Sequence, residues 1–475
     1  MLVTVDNRLR LPPDCPAALA KELRGVCTHA NPAHAKMRAM GMWTGATPRT
    51  IATWRDEPDG SISLPRGITN KLRSIALLHG IRVRWHDKRT SVPVAWGPCL
   101  TKQRDYQVEG RDACISHEQG LLRASTGSGK TCIALAVLPQ LGQRSLVILR
   151  DTNLLVQWKE RAQAELGLSA KEIGIVAGGK RKVGKRLTLA LQQSLYSAKF
   201  PLAEFAKQFG TVMIDEVHEA AARTVNETID AFPARARLGF SADVTRKDKK
   251  EFLIHDLFGP VIYEIGRHKL EAEGHVCPVV VRLVPTEFAA DWYVNAPAEE
   301  RDFIRLIREM SEDVERNTVL RSVILELVHA GRVPALVFTH LRDHAKQLAQ
   351  YWLPADNVPA GLMIGGKPEE FAEYKSALTT GSIKVAVGTF KAIGQGLDLP
   401  NVLAGVCSTP IGSNRQFFGQ VRGRICRPYA GKTVAHLYYL WDERVFPGTA
   451  RNLVSWNDDL VEVFDHASER WVPFR

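Results

Sequence analysis

Residues 121–131 read Leu-Leu-Arg-Ala-Ser-Thr-Gly-Ser-Gly-Lys-Thr, Leu121 to Thr131. A short apolar strand runs into a loop of small residues, and Thr131 to Val137 has the pattern of a helix. Such a loop is suited to phosphate. Its glycines let backbone N–H groups close around an anion, and the helix N-terminus adds the positive end of its dipole. Ser125, Thr126, Gly127, Ser128 and Gly129 form the candidate cradle. Lys130 is spaced to reach the β- and γ-phosphates of a nucleotide, and the Thr131 hydroxyl to help hold Mg²⁺. The usual pattern begins with Gly, where this chain has Ala124. A Gly-Ser turn followed by a surface lysine has the same composition, so the reading depends on what surrounds it.

Apolar strands and helical stretches alternate over about residues 98–283, the pattern of a parallel sheet covered by helices on both faces. Arg104-Asp-Tyr-Gln107 precedes the loop on a helix. Ser145–Leu149 is a second buried strand, followed by Arg150-Asp-Thr-Asn and a helix containing Gln157-Trp158. Arg186–Leu191 is a third, ending in Gln192-Gln193-Ser194. Thr211-Val-Met-Ile214 then runs into Asp215-Glu216-Val217-His218, 85 residues after Lys130. Paired acids at a strand end suit metal-assisted phosphoryl chemistry: Asp215 to hold Mg²⁺, Glu216 to polarise the attacking water. An ordinary acidic turn would look similar alone, but not at this distance behind a phosphate loop.

A second alternating set spans about residues 300–475. Arg301–Ala330 reads as long helical segments, and Ala335–His340 and Ile383–Val387 as buried strands. Further on lies Gln420-Val-Arg-Gly-Arg424-Ile-Cys-Arg427. Arginines three apart share one helix face. Their planar guanidinium forks are suited to stabilising charge on a phosphoryl group in transfer. A basic surface helix is the plain alternative.

The chain has 475 residues, 45% of them apolar, enough for roughly three domains. No apolar run reaches a membrane span, and Met1–Arg10 is too charged for a signal peptide, so a soluble, cytoplasmic protein is expected. Eight scattered cysteines without a C-x-x-C pair predict reduced thiols, and neither a zinc site nor a disulfide framework. The net charge is +12 and the pI near 9.3, which favours a polyanionic partner. Most of the excess, +8, lies within Met1–Gly97. There Val3–Leu11, Thr50–Trp54, Ser61–Leu64 and Ile81–Trp85 read as strands, and Pro16–Val26, Ala33–Met40 and Ile68–Leu78 as helices. Trp43, Trp54, Trp85 and Trp96 are interleaved with Arg49, Arg55, Arg66, Arg73, Arg82 and Arg84. Guanidinium groups pair with phosphates and rings stack on bases, so this small α+β module is a candidate nucleic-acid contact. Equally, the tryptophans could fill a core that the arginines solvate. Ser91–Pro98 reads as a linker.

A phosphate loop followed by Asp-Glu-x-His resembles the superfamily 2 helicases and translocases. Leu238-Gly-Phe-Ser241-Ala242-Asp243 is similar to that family's Ser-Ala-Thr motif, with Asp243 for Thr and Val244 for the following Pro. Thr245-Arg-Lys-Asp248 and Leu257–Glu264 narrow the resemblance to xeroderma-pigmentosum group B type repair helicases and related phage and bacterial branched-DNA helicases. It covers roughly residues 98–445.

The resemblance implies an α/β protein with two tandem RecA-like P-loop NTPase domains behind the small α+β domain: residues 1–97, 98–283 and 300–475. It implies an ATP-dependent DNA helicase or translocase using ATP and Mg²⁺, with duplex, forked or branched DNA as partner and RNA as the lesser alternative. A duplex translocase that does not unwind, and a nucleic-acid scaffold with a decayed motor, stand as further alternatives. The protein is expected to act as a monomer, with accessory repair or replication proteins. By the same resemblance, Gln107 contacts adenine, with Arg104 beside it. His218 joins the catalytic acids, and Gly396 and Asp398 of Gly394-Gln-Gly-Leu-Asp face the nucleotide. Thr152, Gln193, Ser194 and Thr389 contact the nucleic-acid backbone. Gln420, Arg424 and Arg427 complete the ATP site from the second domain.

Overall fold

The structure is a computed structural model, which describes residues 1–197, 200–219, 227–244, 248–297, 299–365, 368–396, 399–412, 415–457, 460–465 and 470–474. It forms two compact units. One comprises Met1–Ser125 and Gly129–Gly266; the other comprises Arg267–Arg475 with the loop residues Thr126–Ser128.

In the first unit, a large sheet runs in the order Lys180–Lys182, Ile173–Ala177, Leu187–Leu191, Ser145–Leu149, Thr211–Asp215, Ala236–Ser241, Gln119–Ala124, Val261–Ile265. All neighbours are parallel except the first pair. The four central strands from Leu187–Leu191 to Ala236–Ser241 are buried throughout. Their unbroken apolar runs follow from helices covering both faces, which leaves no wet side to alternate toward. The exposed edge is Lys180-Arg-Lys182, a run of charge that discourages further pairing.

The first ninety residues build a second, five-stranded sheet on this unit, in the order Arg55–Asp56, Ile62–Leu64, Leu9–Leu11, Leu2–Val5, Arg84–Asp87. Val3, Leu9, Leu11, Leu23, Leu64 and Leu72 form its core. The stretch Val3–Leu11, which alternates like one strand, is a hairpin: Leu2–Val5 pairs antiparallel with Leu9–Leu11. Asp6 turns the chain by accepting from the Arg8 amide at 2.8 Å.

This module is not free-standing. Three buried arginines fasten it to the large sheet. Arg8 pairs with Asp230 at 2.5 Å, and Arg66 donates to the carbonyls of Ala234 (2.7 Å) and Arg235 (3.1 Å) and to Gln119. Arg237 returns the contact, donating to Asn7 O at 3.0 Å. Arg66, a nucleic-acid candidate by its position among tryptophans, is 1% exposed and spent on this seam. Burial drives its pKa well below the ordinary arginine value. Ser91–Pro98 is likewise no loose linker. The Val94 amide donates to Gly142 O (2.9 Å), Arg144 N to Val92 O (2.8 Å) and Trp96 Nε1 to Gln143 O (3.1 Å).

The second unit holds a sheet in the order Ala360–Met363, Val385–Thr389, Ala335–Thr339, Ala404–Cys407, Ala435–Trp441, Val279–Pro285, Val461–Asp465, Arg470–Pro473. Again only the terminal pair is antiparallel. Val279–Pro285 lies inside this sheet, between Ala435–Trp441 and Val461–Asp465, so the chain leaves the first unit after Gly266 rather than at 283. Its alternation specifies a strand, while its sheet is set by pairing with residues 156 and 180 positions later. Both large sheets are thus parallel-dominated α/β layers of the RecA-like kind.

His344 is buried in this unit. Its Nδ1 meets Thr339 Oγ1 at 3.0 Å and its Nε2 meets Asn317 Oδ1 at 3.1 Å. Burial, with Arg316 nearby, pushes its pKa down to about 3. The folded protein therefore keeps His344 neutral while the unfolded chain protonates it below about pH 6.5. Stability contributed by the neutral ring is present above that pH and lost as pH falls from 6.5 toward 3. Acidification from pH 7 to 5 should cost the wild type about 2 kcal/mol more than His344→Gln. Denaturant unfolding at both pH values measures this, and equal losses would refute it.

Candidate active site

The phosphate loop joins strand Gln119–Ala124 to helix Lys130–Leu141. That strand sits between Ala236–Ser241 and Val261–Ile265, so the loop opens at the carboxyl end of parallel strands, where ligands of such sheets bind. Gly127 and Gly129 take φ of 94° and 80°, left-handed values that other residues adopt at a cost. Gly129 is required twice over: a Cβ there would lie 2.5 Å from Gln107 Nε2. Gln107 is itself buried and accepts the Arg104 amide at 3.0 Å, closing the start of helix Asp105–His117. The glutamine expected to meet adenine is thus fixed against the loop, with Arg104 exposed beside it.

Opposite stand the acids, two strands away. Asp215 ends its strand and is 7% exposed. Its Oδ2 accepts from Trp158 Nε1 at 2.8 Å and its Oδ1 from the Glu216 amide at 3.0 Å. Burial, reinforced by the neighbouring Glu216 charge, pushes the Asp215 pKa up to about 6. Glu216 adopts φ 52°, an uncommon conformation for its residue type and one that collects at functional sites. Burial, the largest single influence, would raise its pKa, but Lys130, His218 and Arg150 together hold it below the ordinary value. Lys130 Nζ lies 3.5 Å from Glu216 Oε1 and donates to Ala124 O at 3.3 Å. The lysine, the general-base candidate and the loop therefore converge.

His218 is buried, and burial lowers its pKa. Its Nδ1 is hydrogen-bonded to Ser241 Oγ, whose own proton goes to the Asp243 carbonyl, so Nδ1 carries the hydrogen. This links the Asp-Glu-Val-His turn to the Ser-Ala-Asp segment on the adjacent strand.

Does this set of residues fit nucleotide and metal? Glu216 Oε2 is buried and, among the described residues, accepts no hydrogen bond, with His218 Nδ1 3.4 Å away. Together with the glycine cradle and Lys130, it fits an anionic ligand and a cation.

The other candidates fall as follows. Thr152 is exposed at the first turn of helix Thr152–Leu166, which Asp151 caps through the Leu154 amide at 3.0 Å. Gln193, exposed, and Ser194, half-buried, lie in the short helix Gln192–Leu195 at the carboxyl end of their strand. In the second unit, Thr389 Oγ1 accepts the Ala392 amide at 3.2 Å and so caps helix Phe390–Gly396. Gly396 is the last residue of that helix. Asp398 lies outside the described residues, as do Thr245, Arg246 and Lys247. Gln420 and Arg424 ride on helix Arg415–Ile425. Arg427 does not share that helix, which stops at Ile425: Pro428 restrains its predecessor from helical geometry.

Trp158 was invisible as a site residue, because a tryptophan on an amphipathic helix reads as core. It is core, at 1% exposure, yet its one polar atom serves Asp215. Trp158→Phe leaves Asp215 Oδ2 buried without that donor, and should destabilise the protein by about 1–3 kcal/mol in denaturant unfolding. An unchanged midpoint would show the bond to be dispensable.

The family described as Type III restriction enzyme, res subunit, matches residues 100–246. The chain is 26% identical over 343 residues to a DNA 3'-5' helicase XPB of Kineococcus radiotolerans, covering 70% of this chain and 59% of that protein. It is 29% identical over 256 residues to probable helicase D10 of Escherichia phage T5, covering 53% and 51%. The chain thus spans between half and three-fifths of the length of these relatives. Among solved structures, a fragment of a putative HsdR subunit of a type I restriction enzyme from Vibrio vulnificus shares the fold with a TM-score of 0.56. That alignment has 17% identity over 79% of this chain and 71% of the fragment. The chain is therefore a relative of the superfamily 2 helicases, XPB-type DNA helicases among them.

Proposed function

We propose that the chain is an ATP-dependent DNA helicase or translocase acting on duplex or branched DNA. The observation that carries this reading is the convergence of Lys130, Asp215 and Glu216 at one end of a parallel sheet. The loop's amides and Lys130 hold the phosphates. Glu216, ionised at neutral pH, takes a proton from the water that attacks the γ-phosphorus, while the bond to the β–γ bridging oxygen breaks. Thr131 and Asp215 are the residues that would hold Mg²⁺, which when bound neutralises phosphate charge. Arg424 and Arg427 are proposed to stabilise charge on the transferring group, and Thr152, Gln193, Ser194 and Thr389 to meet the DNA backbone. The segments 1–97, 98–266 and 267–475 are the proposed working divisions. Contacts of this type follow the backbone, so binding should weaken steeply with salt and depend little on sequence.

The test is ATP turnover and strand separation measured across blunt duplex, forked DNA, single strand and RNA of matched length. Stimulation by DNA, greatest on forked or duplex forms, is the expected result. Stimulation by RNA alone would replace this reading with that of an RNA helicase, and turnover without nucleic-acid dependence would remove it.

A further inference from the structure

Between Glu22 and Asp56 the chain has no carboxylate side chain. This stretch includes a projection built from the two-stranded sheet Thr28–Ala30 and Thr50–Ala52, helix Pro32–Ala39 and the loop between helix and second strand. Its helix buries no residue. From Thr28 to Ala52 Asn31 alone is buried, and it works as a brace: it caps the helix through the Ala33 amide and donates to Pro48 O at 2.8 Å. Lys36, Arg38 and Arg49 are exposed, and among the described residues none of them is in an ion pair. A groove lined by Asn31, His34, Arg38, Arg49 and Thr50 runs along the helix. In the loop that follows the helix Trp43 is 86% exposed, the most exposed large apolar side chain described, and Met40 and Met42 are exposed near it in sequence. Its ring lies over Gly45, where a Cβ would collide with it.

Trp54 and Trp85 are already covered by arginines. Arg24 covers Trp54 and pairs with Asp56, Arg73 covers Trp85, and Arg55 pairs with Asp230. Arg82 and Arg84 are also exposed without an ion pair among the described residues, but only the projection sets such charge beside an exposed tryptophan.

We propose that residues 28–52 form a grip for unpaired nucleotides at a DNA fork or branch. The proposal rests on the DNA reading above and adds the element that gives preference for branched structure. Arg38 and Arg49 lining a groove without acid, with Lys36 exposed on the same helix as Arg38, suit a phosphate backbone. An indole face needs a base face, and in a duplex those faces are occupied by stacking, so Trp43 meets one only where strands part.

The test uses the full chain and fluorescence anisotropy with a forked DNA and a blunt duplex of equal length. Trp43→Ala should weaken fork binding about tenfold and duplex binding far less. Trp43→Phe, which keeps a ring, should recover most of the fork affinity. The triple variant K36A/R38A/R49A should weaken fork binding and lower the salt slope by about 3. The exposed positions predict unchanged unfolding temperatures for all three proteins. If wild-type protein neither binds nor is stimulated by any DNA, the underlying reading falls. If wild type prefers forks and Trp43→Ala retains that preference in full, this proposal alone falls. Loss of self-association instead of fork affinity would also overturn it, making the projection a contact between copies of the chain.

Discussion

Glu216→Gln should lower ATP turnover about a thousandfold while leaving the fold and nucleotide affinity in place. The substitution keeps shape and removes the capacity to accept a proton, together with the charge that faces Lys130. Glu216 is suited to that role by its surroundings: Lys130 at 3.5 Å, with His218 and Arg150, holds its pKa below the ordinary value against burial, and its backbone sits at φ 52°. Maintaining an unfavourable backbone at a half-buried acid costs stability, which makes sense where geometry serves chemistry. Lys130→Ala should abolish turnover through a different step, by weakening phosphate binding. The pair separates the two contributions: Glu216→Gln retains binding of a fluorescent ATP analogue, and Lys130→Ala loses it. Retention of a tenth of wild-type turnover by Glu216→Gln would remove Glu216 as the base. Nucleic-acid-stimulated turnover in Lys130→Ala would remove the loop as the nucleotide site.

Local pattern carried the core of this site and tertiary context carried its frame. Ser145–Leu149 could be bounded from sequence to the residue, because a buried apolar run admits few other endings. The loop before Lys130 and the Asp215-Glu216 turn were equally legible, since each is a short motif with its chemistry in adjacent residues. What failed was distant pairing. Arg66 and Trp96 looked like binding residues, and became anchors once Ala234 and Gln143 lay against them. No local signal separates an arginine that caps carbonyls from one that waits for phosphate. The boundary expected near residue 283 fell for the same reason, since Val279–Pro285 pairs within the second sheet. Arg427, by contrast, was recoverable: Pro428 marks the end of the helix.

Cysteine state follows the same division. All eight thiols are free, as scattered spacing implied, although Cys15 and Cys99 are half-buried. Burial raises the pKa of Cys114 and Cys132 to about 12, so these thiols behave as small apolar groups within the first unit.

The second large effect is on stability, at Arg316 and Asp442. Both side chains are wholly buried, with Arg316 Nε and Nη2 donating to the two Asp442 oxygens at 2.7 and 3.1 Å. Asp442 also accepts from Thr286 Oγ1 at 2.6 Å. One carboxylate thereby ties helix Val314–His329 to residues just beyond strands Val279–Pro285 and Ala435–Trp441. The Asp442 carbonyl continues the link, accepting the amides of Val445 and Phe446, whose side chains pack with Tyr293, Leu306 and Met310. Asp442→Asn keeps the volume but strands a guanidinium charge without its counter-ion. Such a loss should cost about 3–5 kcal/mol, far more than the pair itself contributes over an apolar replacement. The double variant Arg316→Met with Asp442→Leu should therefore recover much of the loss, because it removes both charges together. Denaturant unfolding of the wild type, Arg316→Met, Asp442→Leu and the double variant measures the coupling, with Asp442→Asn alongside. A double variant as unstable as Asp442→Asn would mean that the carboxylate matters for its tie to Thr286 and not for neutralising Arg316.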